Sequence, residues 1–180
     1  MSSEQIIIDQ IKQGNRAAMK TLYTQYSGYA TATCMRYVTE NEAVKDILQD
    51  SFVKILTSID RFEYRGEGSL KAWIRTLVAN LALDYLRKNN RLCFTDDIPQ
   101  EMEDEPPSMD EIPTEELLKM IGMLPIGYRT VLNLYVFEDK SHKEIAQILG
   151  IKENSSASQY ARAKKMLNKM MQNYMKGMAR

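Results

Sequence analysis

Two groups of residues in this 180-residue chain have the types and spacing to bind nucleic acid. The first is Arg61, Phe62, Tyr64 and Arg65, on a segment that also holds Gly66 and Gly68. Aromatic rings stack on unpaired bases, and cations beside them meet the phosphates. Asn80, Asp84, Arg87 and Lys88 follow at spacings of four, three and one. Asn80 and Asp84 could bond each other, and the two bases could meet phosphate. Phe62 could equally close a core beneath the loop, and Trp73 sits on an apolar stripe and reads as core.

The second group lies on a helix-turn-helix pattern. Ser141 and Glu144 form a capping box that starts a helix. Ile145, Ala146, Leu149 and Ile151 carry its apolar spacing, and Gly150 stands where a helix end needs a left-handed residue. Asn154 and Ser155 are good N-caps for the next helix. Two helices joined by so short a turn form a DNA-reading unit, with the second helix in the major groove. On that second helix Ser156, Tyr160, Ala163, Leu167 and Met170 recur at 4, 3, 4 and 3 as the buried face. Ser155, Ser158, Gln159, Arg162 and Lys165 are then expected outward. Gln159 can pair with adenine and Arg162 with guanine or phosphate. Lys164, Lys165 and Lys169 suit phosphates.

No catalytic set accompanies these groups. His142 is the single histidine and has no Cys or Ser partner nearby in sequence. The chain has no glycine-rich phosphate loop and no metal-ligand spacing, so neither cofactor nor metal is expected. Cys34 and Cys93 read as ordinary thiols. No apolar run is long enough to span a membrane, and the start, Met1 to Asp9, lacks signal-peptide character. A non-enzymatic, cytoplasmic protein without membrane insertion is expected.

Helical periodicity runs through the elements that must position these residues, and no strand pattern appears. Helices are expected at Glu4–Lys12, Asn15–Val38, Asn41–Ser58 and Ser69–Lys88, then near 115–122, 127–137, 141–149 and 155–172. Between the two sets lies a stretch, 95–114, with four prolines and a block of acids, which reads as an extended linker. The expected fold is all-α, with two small helical domains, 1–94 and 115–180, joined by the acidic linker 95–114. The formal net charge of zero hides this partition. Residues 1–94 hold 13 Lys/Arg and 10 Asp/Glu (+3), residues 95–116 hold 10 acids and no Lys or Arg (−10), and residues 117–180 hold 11 bases and 4 acids (+7). The basic C-terminal part suits a DNA partner.

On the helix 41–58 the apolar residues fill one face, so Asp46, Gln49 and Asp50 project together on the other. That face is either merely solvated or a docking surface for a basic partner helix; spacing alone does not separate the two.

The run Asp46-Ile-Leu-Gln-Asp-Ser-Phe-Val-Lys-Ile, followed by Arg61-Phe and by Leu70-Lys-Ala-Trp-Ile-Arg-Thr-Leu-Val-Ala-Asn80 through Asp84-Tyr-Leu-Arg87-Lys88, resembles region 2 of extracytoplasmic-function (ECF) sigma factors. Leu124-Pro-Ile-Gly-Tyr-Arg-Thr-Val-Leu-Asn-Leu-Tyr, then Ser141-His-Lys-Glu-Ile-Ala-Gln-Ile-Leu-Gly-Ile and Arg162-Ala-Lys-Lys-Met-Leu, resembles their region 4. The resemblance covers nearly the whole chain except the linker. It implies a promoter-specificity factor for core RNA polymerase. Asp46, Gln49 and Asp50 match the family's motif for docking on the polymerase clamp helices. Arg61 to Glu67, with Asn80, Asp84, Arg87 and Lys88, occupy the places that capture unpaired bases of the −10 element. Ser155, Ser158, Gln159 and Arg162 occupy those that read the −35 duplex. The acidic linker would thread towards the polymerase active centre and RNA exit path. An anti-sigma factor is the expected regulator. Ser156 departs from the family, which usually buries an apolar residue there, and Ala157 and Ala161 stand where many members carry larger or basic side chains. Two other classes fit parts of the chain. One is a helix-turn-helix regulator whose N-terminal domain senses or dimerises and which binds its operator without polymerase. The other is a protein-interaction scaffold, which would lack salt-dependent DNA affinity.

Overall fold

The computed structural model describes residues 2–92, 94 and 112–178. Among them are eight α-helices: α1 (Ser3–Lys12), α2 (Arg16–Met35), α3 (Asn41–Ser58), α4 (Ser69–Lys88), α5 (Thr114–Met123), α6 (Ile126–Val136), α7 (His142–Leu149) and α8 (Glu153–Met178). They fall into two compact units, residues 1–88 and 89–180. The acidic stretch 95–111 and Cys93 lie outside the described residues.

The first unit is built on α4. Its side chains Leu70, Ile74, Val78 and Ala82 are fully buried, and both α2 and α3 pack against it. Leu22 of α2 and Ile55 of α3 are fully buried as well, and each such side chain removed from water stabilises the fold by about 1.5–3 kcal/mol. The helix starts are set locally. Ser2 accepts a bond from the Gln5 N–H to start α1, and Asn15 accepts from the Ala17 and Ala18 N–H groups to start α2. These side chains satisfy donors that a helix end leaves unpaired. A 3-10 turn, Ile59–Arg61, ends α3. The chain then reverses through Gly66 at φ +116° and Gly68 at φ +85°, where an L side chain would be strained.

The second unit packs α5, α6 and α7 on α8. Its core joins Met120, Ile121, Leu124, Leu132, Ala163, Leu167 and Met171, and Ile112 joins it too. Ile112, which falls in the stretch 95–114 expected as linker, is thus buried against this core, because a β-branched apolar residue beside α5 gains more from the core than from solvent. The capping box of Ser141 and Glu144 forms as expected, and Gly150 ends α7 in the left-handed region at φ 68°, ψ 33°. The next helix departs from expectation. It starts at Glu153, before both expected caps, and the Ser156 N–H already donates to the Lys152 carbonyl. Ser155 thus lies inside the first turn.

Ile112→Ala should lower the stability of the full chain by about 2–4 kcal/mol in urea unfolding. An unchanged midpoint would return Ile112 to the linker.

Candidate nucleic-acid and protein interfaces

In the first unit, α3 buries Val44, Ile47, Ser51, Phe52 and Ile55. Asp46, Gln49 and Asp50 are brought together on its exposed side. Gln49 also borders a shallow groove lined by Tyr23, Lys45, Leu48, Phe52, Val53 and Leu56. Tyr23 packs on Phe52 with ring centroids 4.7 Å apart, yet Tyr23 is 55% exposed and Val53 57%. The acidic edge thus runs beside apolar surface, a combination suited to another protein's helix.

The loop after α3 separates its residues by role. Arg61 and Arg65 are exposed, and Arg65 reaches Glu63 at 3.3 Å. Phe62 does not face outward. It is buried, with its ring 4.8 Å from that of Trp73. Of the two readings open for Phe62, stacking on a base or closing the core, this placement is the second: an apolar ring next to the α4 stripe is better placed closing the core than standing in water. Tyr64 is half-buried, and its hydroxyl lies 2.5 Å from Ser2 Oγ. Along α4, Asn80, Asp84, Arg87 and Lys88 are all exposed, and Arg87 pairs with Asp84 at 3.0 Å. Exposed pairs of this kind contribute little to stability. Ser2, Glu4 and Lys12 also bond this loop. No signal in the sequence could have found them, since 50 to 64 residues separate the partners.

In the second unit, the polar residues of α8 are placed differently from the expectation. Ser155, Ser158 and Gln159 are buried, at 6%, 7% and 0% exposure. This corrects their assignment to an outward face. A periodic stripe says which face of a helix meets the core but not whether the rest is left bare. Ser158 donates to the Asn154 carbonyl within the helix. Arg162 is half-buried, and its Nη1 reaches the Tyr128 hydroxyl at 3.3 Å. Lys164 and Lys165 are exposed, with the Lys164 ammonium 5.1 Å from the Tyr160 ring centroid. Lys164 and Lys165 thus stand on the exposed side of α8.

Ser156 is buried, as the periodicity predicts, and its hydroxyl has a specific partner: His142 Nδ1, 3.0 Å away. His142 stacks on Tyr135, with centroids 4.7 Å apart, and lies against Tyr160. A hydroxyl at an apolar position is thus explained by a histidine at the start of the preceding helix. Burial pushes the His142 pKa below its usual value, while Glu153 opposes the shift. Bonds from the Ser141 N–H and hydroxyl hold the Glu144 carboxyl below the usual carboxylate range. In the first unit, burial pushes the Cys34 thiol up to about 12, so it stays protonated and inert at neutral pH. Among the described residues no cluster of His, Cys, Asp and Glu could hold a metal ion, and no helix is long and apolar enough to cross a membrane.

Both units match known families. Sigma-70 region 2 matches residues 22–92, and Sigma-70 region 4 matches residues 114–167. The chain is 27% identical to the ECF RNA polymerase sigma-E factor of Haemophilus influenzae, over 94% of this chain and 96% of that protein. It is 28% identical to the RNA polymerase sigma factor SigV of Bacillus subtilis, over 87% of this chain and 92% of that one. Among solved structures it is similar to the sigma factor RpoE of Bartonella quintana, in complex with the anti-sigma factor NepR. That similarity has a TM-score of 0.51 and 21% identity, over 85% of this chain and 96% of that one. It is also similar to CnrH, in complex with the cytosolic domain of CnrY, with a TM-score of 0.50 and 21% identity, over 96% and 99% of the two chains. These two likenesses speak for the fold.

The lowered His142 pKa means that the folded state favours the neutral ring. Its contribution to stability is full above the ordinary value of 6.5 and is lost as the pH falls below it. The wild-type chain should therefore lose thermal stability between pH 7.5 and pH 5, and His142→Gln should lose less over the same interval. Parallel pH profiles for the two would contradict this environment for His142.

Proposed function

We propose, since the chain belongs to the sigma-70 family and is an ECF sigma factor, that its two helical units divide the work of promoter-specific transcription initiation with core RNA polymerase. The observation that carries this reading is the order of the two matches on one chain. Region 2 falls within the four-helix stretch α1–α4 and just beyond it, and region 4 on the helices α5–α8. A helix-turn-helix regulator accounts for the second match alone.

In this reading the α3 edge of Asp46, Gln49 and Asp50 docks on the polymerase. Two carboxylates and an amide on consecutive turns meet a basic helix with charge-assisted bonds, and the adjoining apolar surface adds area removed from water. The loop after α3, with the outer side of α4, takes the unpaired −10 strand. Arg61, Arg65, Arg87 and Lys88 meet phosphates, Tyr64, Asn80 and Asp84 lie nearest the bases, and Phe62 supports the loop from beneath. Region 4 holds the −35 duplex, with Arg162, Lys164 and Lys165 on the backbone or at base edges. Ser155, Ser158 and Gln159 would have to leave their buried positions before they could read a base. Phosphate contacts set position and base contacts set specificity. The acidic linker, with −10 formal charge over residues 95–116, would follow the path of RNA through the polymerase. Sigma factors are non-enzymatic, and this chain acts by binding, in the cytoplasm where the polymerase works. An anti-sigma factor would restrain it by covering these surfaces.

Asp50 is exposed on α3, so reversing its charge leaves the fold intact. Asp50→Lys should weaken binding to core polymerase about tenfold or more, since like charges across an interface are strongly disfavoured. Affinity for an upstream-element duplex should stay unchanged. Wild-type core affinity in this variant would remove α3 from the docking surface.

A further inference from the structure

Helix α1 and its cap Ser2 have no part in the function described above, yet they contact the loop 62–68 at three points. The Lys12 ammonium donates to the Phe62 carbonyl at 3.0 Å. The Ser2 and Tyr64 hydroxyls lie 2.5 Å apart. The Gly68 N–H donates to Glu4 Oε2 at 3.0 Å, and the other oxygen of that carboxylate accepts from the Tyr26 hydroxyl at 2.9 Å. Glu4 therefore ties three elements together: α1, which carries it; α2, through Tyr26; and the end of the loop, through Gly68. The Gly68 carbonyl accepts from the Ala72 N–H, so fixing Gly68 also fixes the first turn of α4.

This loop has reason to need holding. Gly66 and Gly68 both take positive φ, and the space where their Cβ atoms would stand is open. Two such residues within three positions give an unrestrained chain many conformations. At the first residue of α4, Ser69 Oγ donates to the Gly66 carbonyl at 2.6 Å and accepts from the Arg65 N–H at 3.3 Å. These bonds shape the turn and fasten it to the start of α4, but do not join it to α1 or α2. Phe62 on Trp73 holds one end of the loop, and α1 holds the middle and the other end. Arg61, Glu63, Arg65 and Glu67 remain exposed.

We propose that α1 is a brace that presets the loop 62–68 for capture of the unpaired promoter strand, with Glu4 as its central positioning residue. The proposal rests on the reading that this loop meets that strand. A loop ordered in advance binds more tightly because less freedom is lost on binding. A carboxylate accepting an N–H is a strong form of such a tie.

The test uses the full-length chain assembled with purified bacterial core polymerase. The probe is a labelled fork-junction DNA whose downstream strand is unpaired, built on a promoter that this chain directs in vitro. Glu4→Ala should raise the fork-junction Kd about tenfold, the range set by losing a bond to a charged group, with core affinity unchanged. Hydrogen exchange at Gly66 to Gly68 should quicken in the free chain. Glu4→Gln retains an acceptor for the Gly68 N–H and should restore most of the affinity. Tyr26→Phe keeps the ring and should weaken capture by less than Glu4→Ala. Wild-type fork-junction affinity in both Glu4→Ala and Tyr26→Phe would overturn the brace, as would an equal loss of core affinity. An Arg61→Ala, Arg65→Ala double variant separates the two ideas. If it weakens capture while Glu4→Ala does not, the loop meets DNA and the brace is wrong. If it too binds as wild type, the loop does not meet the strand and the proposal falls with its premise.

Discussion

Burial of the apolar stripe on α4 is the constraint on which the first unit depends. Leu70, Ile74 and Val78 are removed from solvent completely, and Leu86 is 1% exposed. A helix held on one face this tightly has its opposite face decided for it, and Asn80, Asp84, Arg87 and Lys88 fall there. The same packing orients α3, whose inward residues meet α4 and whose outward residues are Asp46, Gln49 and Asp50. It also sets the two ends of the loop between these helices, because Phe62 closes on Trp73 at one end and Gly68 leads into α4 at the other. Three prospective contact surfaces of the unit are thus consequences of one buried stripe.

The second unit is arranged in the same way around α8. Ala163, Leu167 and Met171 anchor its core, and Ser156 occupies a buried position because its hydroxyl has His142 to meet. The result is a helix with a tightly determined inner face and lysines, Lys164 and Lys165, on its exposed side. The formal charge of the chain is zero, yet residues 117–180 carry +7 and residues 95–116 carry −10. Attraction to DNA belongs to a part of the chain and not to its total.

Features written in neighbouring residues are legible from the amino-acid sequence alone. The bounds of α3 and α4 coincide with the expected Asn41–Ser58 and Ser69–Lys88, because amphipathic periodicity and the glycines between them are local signals. The Ser141–Glu144 box and the left-handed Gly150 are legible for the same reason. What escapes depends on distant partners. The bond from Gly68 to Glu4 spans 64 residues, and no pattern near either residue announces it. Whether Phe62 stacks on a base or on Trp73 turns on what lies beneath the loop. The burial of Ser155, Ser158 and Gln159 likewise follows from tertiary packing, which a single-helix count does not contain. Ile112 reads as linker by its acidic neighbours and as core by what it touches.

Whether one chain supplies both a polymerase-binding surface and promoter recognition is decided by transcription in vitro with purified bacterial core polymerase, with and without this protein, on a library of promoter fragments. Start sites should appear that depend on the protein and share two spaced upstream elements. An absence of stimulated starts, with tight duplex binding and no binding to core, would contradict it and leave a DNA-binding regulator that works apart from the polymerase.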